Sequence, residues 1–473
     1  MKRPIQQGGS CAKESPPKDL HLSRASVLMA GALGFLMVVL DVSVVNVATE
    51  QIASSLDVGE SGLVWVLNGY TLTFAAFLLT GGSLGDRVAP WRLFCIGLGV
   101  FAVASILCGS AKSIDYLVAF RLIQGIGAAL IVPTSLTMVV NAYPPGASRV
   151  AAISGWSAVG SAALGFGPIV GGAVSQLVGW RLIFFINVPI AAIAIALLFK
   201  SGLPRHKNIK SGARKKIDLW GQILIVTFLS SLTLILVQGP GWGWGAPTTV
   251  VLMVCTATSF ALFLIVERRD GAMLPLRLFS IPNFTSSAVT GFFVNFACYA
   301  SIYVISQALL FRFHYSPILS GVALLPLNVA IMGANFSSPY LLRRYSAEAL
   351  LLGSGILSCA GFSIVSLTLN PNQIEICFVG MVLAGFGGGV MAACAANMIV
   401  SAVSPEFVGV ASGTLNASRQ IGGLIGVSIA GAAVTQAIAR GQSEFGSALW
   451  ASAVGCGLVA LVGVGMISRR ASH

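Results

Sequence analysis

What this chain lacks most is charge. Only 9% of its 473 residues are Asp, Glu, Lys or Arg, against roughly a quarter in soluble globular proteins, which excludes an ordinary water-soluble fold. Acidic residues are the scarcest, 15 against 28 Lys and Arg. The four histidines (His21, His206, His314, His473) fall in loops or tails, and none of the nine cysteines forms a CxxC pair. Neither a metal site nor a disulfide framework is therefore expected. No GxxxxGK[ST] sequence occurs, and no polar stretch is long enough to host ATP hydrolysis. A pump carrying its own motor is excluded, no enzyme and no cofactor are expected, and the energy must come from an ion gradient or the substrate's own.

What is abundant is apolar: 56% hydrophobic residues, with 54 glycines at no fixed period. Fourteen apolar stretches are expected to span a bilayer, at about 26–49, 61–82, 92–110, 115–139, 151–177, 181–199, 217–238, 246–267, 284–310, 317–341, 347–369, 374–401, 411–437 and 445–468. Most reach the ~20 residues that a membrane helix needs, whereas barrel strands take roughly 10. Backbone groups in hydrocarbon must be satisfied internally, so each is read as a helix and the fold class as all-α integral membrane. With the N-terminus inside, 22 of the 28 Lys and Arg fall in inner segments, and only Lys112, Arg181, Arg312 and Arg440 fall in outer ones. That bias orients the chain with both termini cytoplasmic. It also accounts for the net charge of +13 through basic loops facing anionic lipid headgroups, with no nucleic acid partner.

Landmarks recur at an offset of 257–260 residues: Ser61-Gly62 with Ser320-Gly321, Leu84 and Arg87 with Leu341 and Arg344, Gly125-Ile-Gly127 with Gly385-Phe-Gly387, and Ser154-Gly155 with Ser412-Gly413. Four pairs in one order imply two parallel six-helix halves related by an axis along the membrane normal, a plan that points to a rocking transporter with its site between the halves. The expected layout is a cytoplasmic tail (1–25), a six-helix bundle (26–199), a basic cytoplasmic loop (200–216), two inserted membrane helices (217–267), a cytoplasmic loop (268–283), a second six-helix bundle (284–468) and a short cytoplasmic tail (469–473). The plasma membrane is the expected location.

The repeat also separates packing from chemistry. Arg121-Leu-Ile-Gln124-Gly125 is matched by Met381-Val-Leu-Ala384-Gly385, and Asp41 falls near Cys298: the glycines persist while the polar groups do not. Asp41 is the only acidic residue well inside an expected span. Low dielectric disfavours its charged form, so it is a candidate proton carrier, with a structural hydrogen-bonding role as the plainer reading. Arg121 falls at nearly the same depth and is its natural partner, in a static bridge or in one that substrate breaks. Gly82-Ser-Leu-Gly85-Asp86-Arg87 reads as a short turned loop that could latch an inner gate, or as plain topology. Span 5 carries Gly155, Gly160, Gly165, Gly167, Pro168, Gly171 and Gly172, which permit close packing and a kink. Arg419 in span 13 is a second intramembrane cation, open to substrate contact or to packing.

These residues resemble the 14-spanner drug:proton antiporters of the major facilitator superfamily across about 25–468. Leu40-Asp41-Val-Ser-Val-Val-Asn46-Val-Ala48 is similar to the family's first-helix motif, although Thr49-Glu50 replaces Leu-Pro. Gly82 to Arg92 resembles its loop motif, with Ala89 and Pro90 where a glycine and a basic residue are usual. Arg121-x2-Gln124-Gly125-x-Gly127 resembles the motif associated with proton coupling. Gly167-Pro168-x2-Gly171-Gly172 resembles the motif associated with export. Trp180-Arg181 through Asn187-Val-Pro189, and Asn416-x2-Arg419-Gln420-Ile-Gly422, look like signatures of the same branch, nearest to methylenomycin-resistance exporters. The resemblance implies proton-driven export of a hydrophobic drug or antibiotic by alternating access, with Asp41 and Arg121 in proton coupling. Asn46, Trp65, Asn68, Tyr70, Gln124, Tyr299, Tyr303 and Arg419 are the candidate cavity residues, because aromatic and apolar walls suit lipophilic ligands. A metabolite symporter or facilitator, and a transporter-like membrane sensor, are the alternatives. Substrate identity and any adaptor protein are left open.

Overall fold

A computed structural model describes residues 18–57, 60–201, 218–269, 274–309, 313, 315, 317–370, 373–439, 450, 452–459 and 461. The N-terminal tail, the basic loop, most of the fourteenth expected span and the C-terminal tail thus lie outside the described residues.

The described chain is helical, without strands. Its first part holds α1 (Lys18–Leu56), α2 (Glu60–Arg87), α3 (Pro90–Gly109), α4 (Ile114–Ala142), α5 (Ala147–Leu177), α6 (Arg181–Phe185) and α7 (Asn187–Lys200). Then come α8 (Leu219–Trp242), α9 (Pro247–Val266) and α10 (Pro282–Gln307). The last part holds α11 (Pro317–Ala323), α12 (Leu325–Arg344), α13 (Ala347–Thr368), α14 (Ile374–Ser401) and α15 (Val408–Ala439). Pro90, Pro247 and Pro282 open helices, where a missing N–H costs nothing. The expected sixth and tenth spans are each two helices. Pro189 and Pro326 lie in the first turns of the second pieces, where proline cannot supply the bond that would continue the helix before it.

Ten stretches of the described helices are long and apolar enough to cross a membrane. α2 and α15 pack on each other and α12 packs on α5; α12 and α15, facing protein, need less apolar surface. The central helix is α4, with 83% of its apolar window buried, whereas in α9 only 17% is. In the first group α4 packs on α2 and α3, and α1 on α5. In the last group α14 packs on α12 and α13, and α10 on α15.

The glycine pairs of the repeat make equivalent contacts. A Cβ on Gly125 would collide with α2 at Tyr70, and one on Gly127 with α3 at Phe101. A Cβ on Gly385 would collide with α12 at Leu327, and one on Gly387 with α13 at Ser354 and Ser358. The groups then meet reciprocally, α2 on α15 and α12 on α5, as a two-fold relation requires.

The pair α8–α9 rests on α2, where Gln222 Nε2 donates to the Ala76 carbonyl at 3.3 Å. Asp218 caps α8 by accepting from Gly221 N at 2.8 Å. Glu267, just beyond α9 and buried, accepts from Leu274 N at 2.7 Å through Oε2, while Oε1 has no partner. A Cβ on Gly221 would lie 2.8 Å from both Asp218 Oδ2 and Glu267 Oε1, so these two oxygens converge. Burial, and then the neighbouring Asp218, push the Glu267 carboxyl up to about 7 against the pull of the Leu274 N–H.

Candidate functional site

The buried polar centre of the first part is built on four helices. Asp41 (α1) and Arg121 (α4) are 2% and 1% exposed and form an ion pair between Asp41 Oδ2 and Arg121 Nη1. Asp41 Oδ1 accepts from Gln124 Nε2 at 2.9 Å and from Asn187 Nδ2 (α7) at 3.0 Å. Ser105 Oγ (α3) accepts from the same two amides at 2.8 and 3.3 Å. Every contact to Asp41 is thus a donor, the complement a carboxylate requires where no water reaches it.

Arg121 is well supplied with partners in turn. Its Nη1 also donates to Gln124 Oε1 at 2.8 Å, and its Nε donates to the Val66 carbonyl of α2 at 3.1 Å. The guanidinium stacks over Tyr70 at 4.3 Å and lies 5.9 Å from the Phe184 ring centre, attractions that a quadrupolar ring supplies to a desolvated cation. Among the described residues this is the one salt bridge. The helical spacing places Arg121 and Gln124 one turn apart on one face of α4, and the narrow seams that glycine allows bring the other helices in. Gly125, next to Gln124, lets α2 approach.

The structure joins Asp41, Arg121 and Gln124, and it relocates two expected cavity residues. Tyr70 is fully buried and its ring covers Arg121, while Gln124 is fully buried and bonds Asp41. Both belong to the ionic centre, because a buried guanidinium needs a face and a carboxylate needs a second donor. Trp65, Tyr299 and Tyr303 are half-buried. Tyr299 and Tyr303 lie against Gly423 and Gly431 of α15, with nearest ring atoms 3.1 and 3.7 Å from where a Cβ would stand. The side chains of Asn46, Asn68, Asp86, Arg87 and Pro168 lie outside the described residues.

The expected loop at Gly82–Arg87 is corrected: α2 continues to Arg87, and the turn comes at Val88–Ala89. Gly82 and Gly85 are helical because packing holds them. A Cβ on Gly82 would collide with the Gly409 carbonyl at the start of α15, and one on Gly85 would come within 3.2 Å of Thr134. On α5 the glycine stripe seats α1, since a Cβ on Gly167 would meet Ser43 and one on Gly171 would come within 3.0 Å of the Val44 backbone. A Cβ on Gly165 would come within 2.8 Å of Asn328 of α12, and Asn335 Nδ2 donates to Ser161 Oγ at 2.9 Å, so α5 serves both seams.

Sequence reasoning missed Ser105 as a member of this centre and treated Asn187 only as part of a signature. The available signal was a polar side chain at mid-helix in α3 and another opening α7. The second intramembrane cation, Arg419, donates from Nη2 to the Ala392 carbonyl at 3.0 Å and meets no carboxylate among the described residues.

A sequence model of the Major Facilitator Superfamily matches residues 31–427 and 288–472. The methylenomycin A resistance protein of Bacillus subtilis is 35% identical over 413 residues, covering 86% of each chain. That of Streptomyces coelicolor is 33% identical over 432 residues, covering 90% of this chain and 89% of its own. The solved structure of the human organic anion transporter MFSD10 superposes with a TM-score of 0.66 at 14% identity, covering 95% of this chain and all of that one.

Proposed function

The chain belongs to the major facilitator superfamily, and we propose that it is a proton-coupled antiporter exporting a small antibiotic or drug by alternating access. The observation that carries this reading is the buried pair Asp41–Arg121 with its amide donors. An ionisable pair is costly inside a membrane and is kept chiefly where charge moves. The antibiotic-resistance relatives support the substrate class and the direction.

In this mechanism a proton from outside neutralises Asp41. The carboxylate then no longer holds Arg121, whose remaining anchors are Gln124 and the Val66 carbonyl of α2. Releasing Arg121 loosens α1, α2 and α4 together, and α2 carries the Gly82 contact to α15. Protonation thereby reaches the seam between the two six-helix halves, at 26–199 and 284–468, while α8 and α9 ride on the first. Asp41 gives up its proton to the cytoplasm, where both termini lie, and the pair re-forms. The protein works in the plasma membrane, with substrate lodged between the halves near Trp65, Tyr299, Tyr303 and Arg419.

Proteoliposomes enclosing a pH dye test this. A panel of lipophilic antibiotics is added to wild type and to Asp41→Asn. Substrate-triggered proton movement in wild type, absent from the variant, is the expected result. Equal movement in both removes Asp41 as the carrier, and movement in neither removes antiport of those compounds.

A further inference from the structure

Two cations lie well inside the long helices described above, and they are solvated differently by the protein. Arg121 has a carboxylate, an amide oxygen, a backbone carbonyl and an aromatic face. Arg419 has one backbone carbonyl, Ala392 O at 3.0 Å. Among the described residues no acidic side chain pairs with it. Between Pro282 and Ala439 the only ones are Glu348, Glu375 and Glu406, each in the first turn of a helix. Its depth sets it apart from the lipid phosphates of the membrane surface. Arg419 stands eleven residues into α15 from Val408, roughly 16 Å along the axis in a hydrocarbon core about 30 Å thick.

An uncompensated charge at that depth is expensive, and a guanidinium stays charged in proteins. It presents five N–H donors in a planar fork, of which Arg419 uses one. Its surroundings leave the rest reachable. The side chain is only partly buried, and its stem lies along Gly291 of α10, where a Cβ would come within 3.3 Å of Cγ. Tyr299 of α10 borders Gly423, which lies one turn beyond Arg419 along α15. The guanidinium thus stands beside the aromatic face of α10, with one hydrogen bond and the rest of its donors unpartnered among the described residues.

We infer that Arg419 receives the negative end of the substrate, and that the carrier takes amphipathic organic anions: an apolar body seated among the α10 aromatics and a carboxylate or similar group on the guanidinium fork. Two parallel N–H···O bonds to one carboxylate are the geometry this side chain offers best. The inference rests on the reading of the chain as a transporter, so its test reads binding, without flux.

The test uses full-length protein in nanodiscs, in a low-salt buffer made isotonic with sucrose so that no small anion competes for the guanidinium. It titrates 9-anthracenecarboxylate and its uncharged methyl ester into wild type, Arg419→Gln and Arg419→Lys by fluorescence. Wild type is expected to favour the acid by roughly tenfold or more, the scale of charge-assisted hydrogen bonds to one guanidinium. Arg419→Gln should bring acid and ester to equal affinity with the ester unchanged, and Arg419→Lys should keep part of the preference. Equal binding of both probes by wild type, a preference that survives Arg419→Gln, or no binding of either would each overturn the inference. Thermal melting of both variants establishes that they are folded. Binding as expected without proton flux would leave the anion site standing and remove only the antiport reading.

Discussion

Arg121 of α4 and Arg419 of α15 are the same side chain at positions the internal repeat does not pair, and the comparison between them separates structure from function. The first is enclosed by partners from α1, α2 and α4, so its charge is neutralised by the protein alone. The second is left with a single carbonyl, the open environment that the proposed anionic substrate would fill. Between them stands Glu267, with one oxygen bonded to Leu274 N and the other facing Asp218 unpartnered. A filled, a half-filled and an open electrostatic environment should respond differently to removal of the charged group, in that order of size.

The largest effect is expected from Arg121→Leu. It leaves the Asp41 carboxylate buried with amide donors but without its counter-charge, and breaking a buried pair from one side costs about 3–5 kcal/mol. Melting in detergent should fall sharply. The double variant Asp41→Asn with Arg121→Leu should recover most of the loss, because no charge is then stranded. If the single variant melts like wild type, the pair is not the compensated system described here.

Asn187→Ala comes next. It removes one donor from Asp41 and one from Ser105, and a hydrogen bond to a charged group contributes about 1.5–3 kcal/mol. The loss should shrink in an Asp41→Asn background, where the acceptor carries no charge. Equal losses in both backgrounds would show that Asn187 acts through packing and not through the carboxylate.

Glu267 gives a pH signature. Its folded carboxyl titrates at about 7, above the ordinary value of 4.5, so folding favours the protonated form. The stability this adds is complete below pH ~4.5 and is lost as pH rises through ~7. Melting temperature should therefore drop between pH 6 and pH 8, and Glu267→Gln should flatten that drop. A drop of the same size in Glu267→Gln would assign it to another group.

The three environments were not equally legible in the sequence. Asp41 and Arg121 stood out because charges are rare in apolar helices, and equal depth along two helices was enough to pair them. Composition and periodicity also gave the helical class, and the recurrent glycines marked seams that the structure then occupied. Ser105 was invisible, since a serine in a membrane helix usually bonds its own backbone and nothing local marks the one that faces a neighbour's amide. Tyr70 was assigned to a cavity wall because rotation about a helix axis is not fixed by sequence, and that rotation puts its ring on Arg121. The Gly82–Arg87 stretch read as a loop because glycines and charges usually break helices. It is helical because α4 and α15 press on it, a tertiary effect with no local signal.

The smallest effect on stability is expected where sequence and structure both leave the charge bare. Arg419→Gln removes a cation with no carboxylate partner and keeps a side chain able to donate to the Ala392 carbonyl, so melting should change by no more than a degree or two, or rise. Desolvation of the unpaired guanidinium opposes folding, and its removal relieves that penalty at the cost of at most a weakening of one hydrogen bond of about 1 kcal/mol. The contrast with Arg121→Leu is the sharp form of the comparison: two arginines at similar depths, one whose loss unfolds the protein and one whose loss the fold tolerates. A residue that the fold tolerates losing, yet that carries a desolvation cost, is kept for what it binds. A large destabilisation by Arg419→Gln would reverse this logic and return Arg419 to a packing role, with the charge compensated in a way that its one hydrogen bond does not reveal.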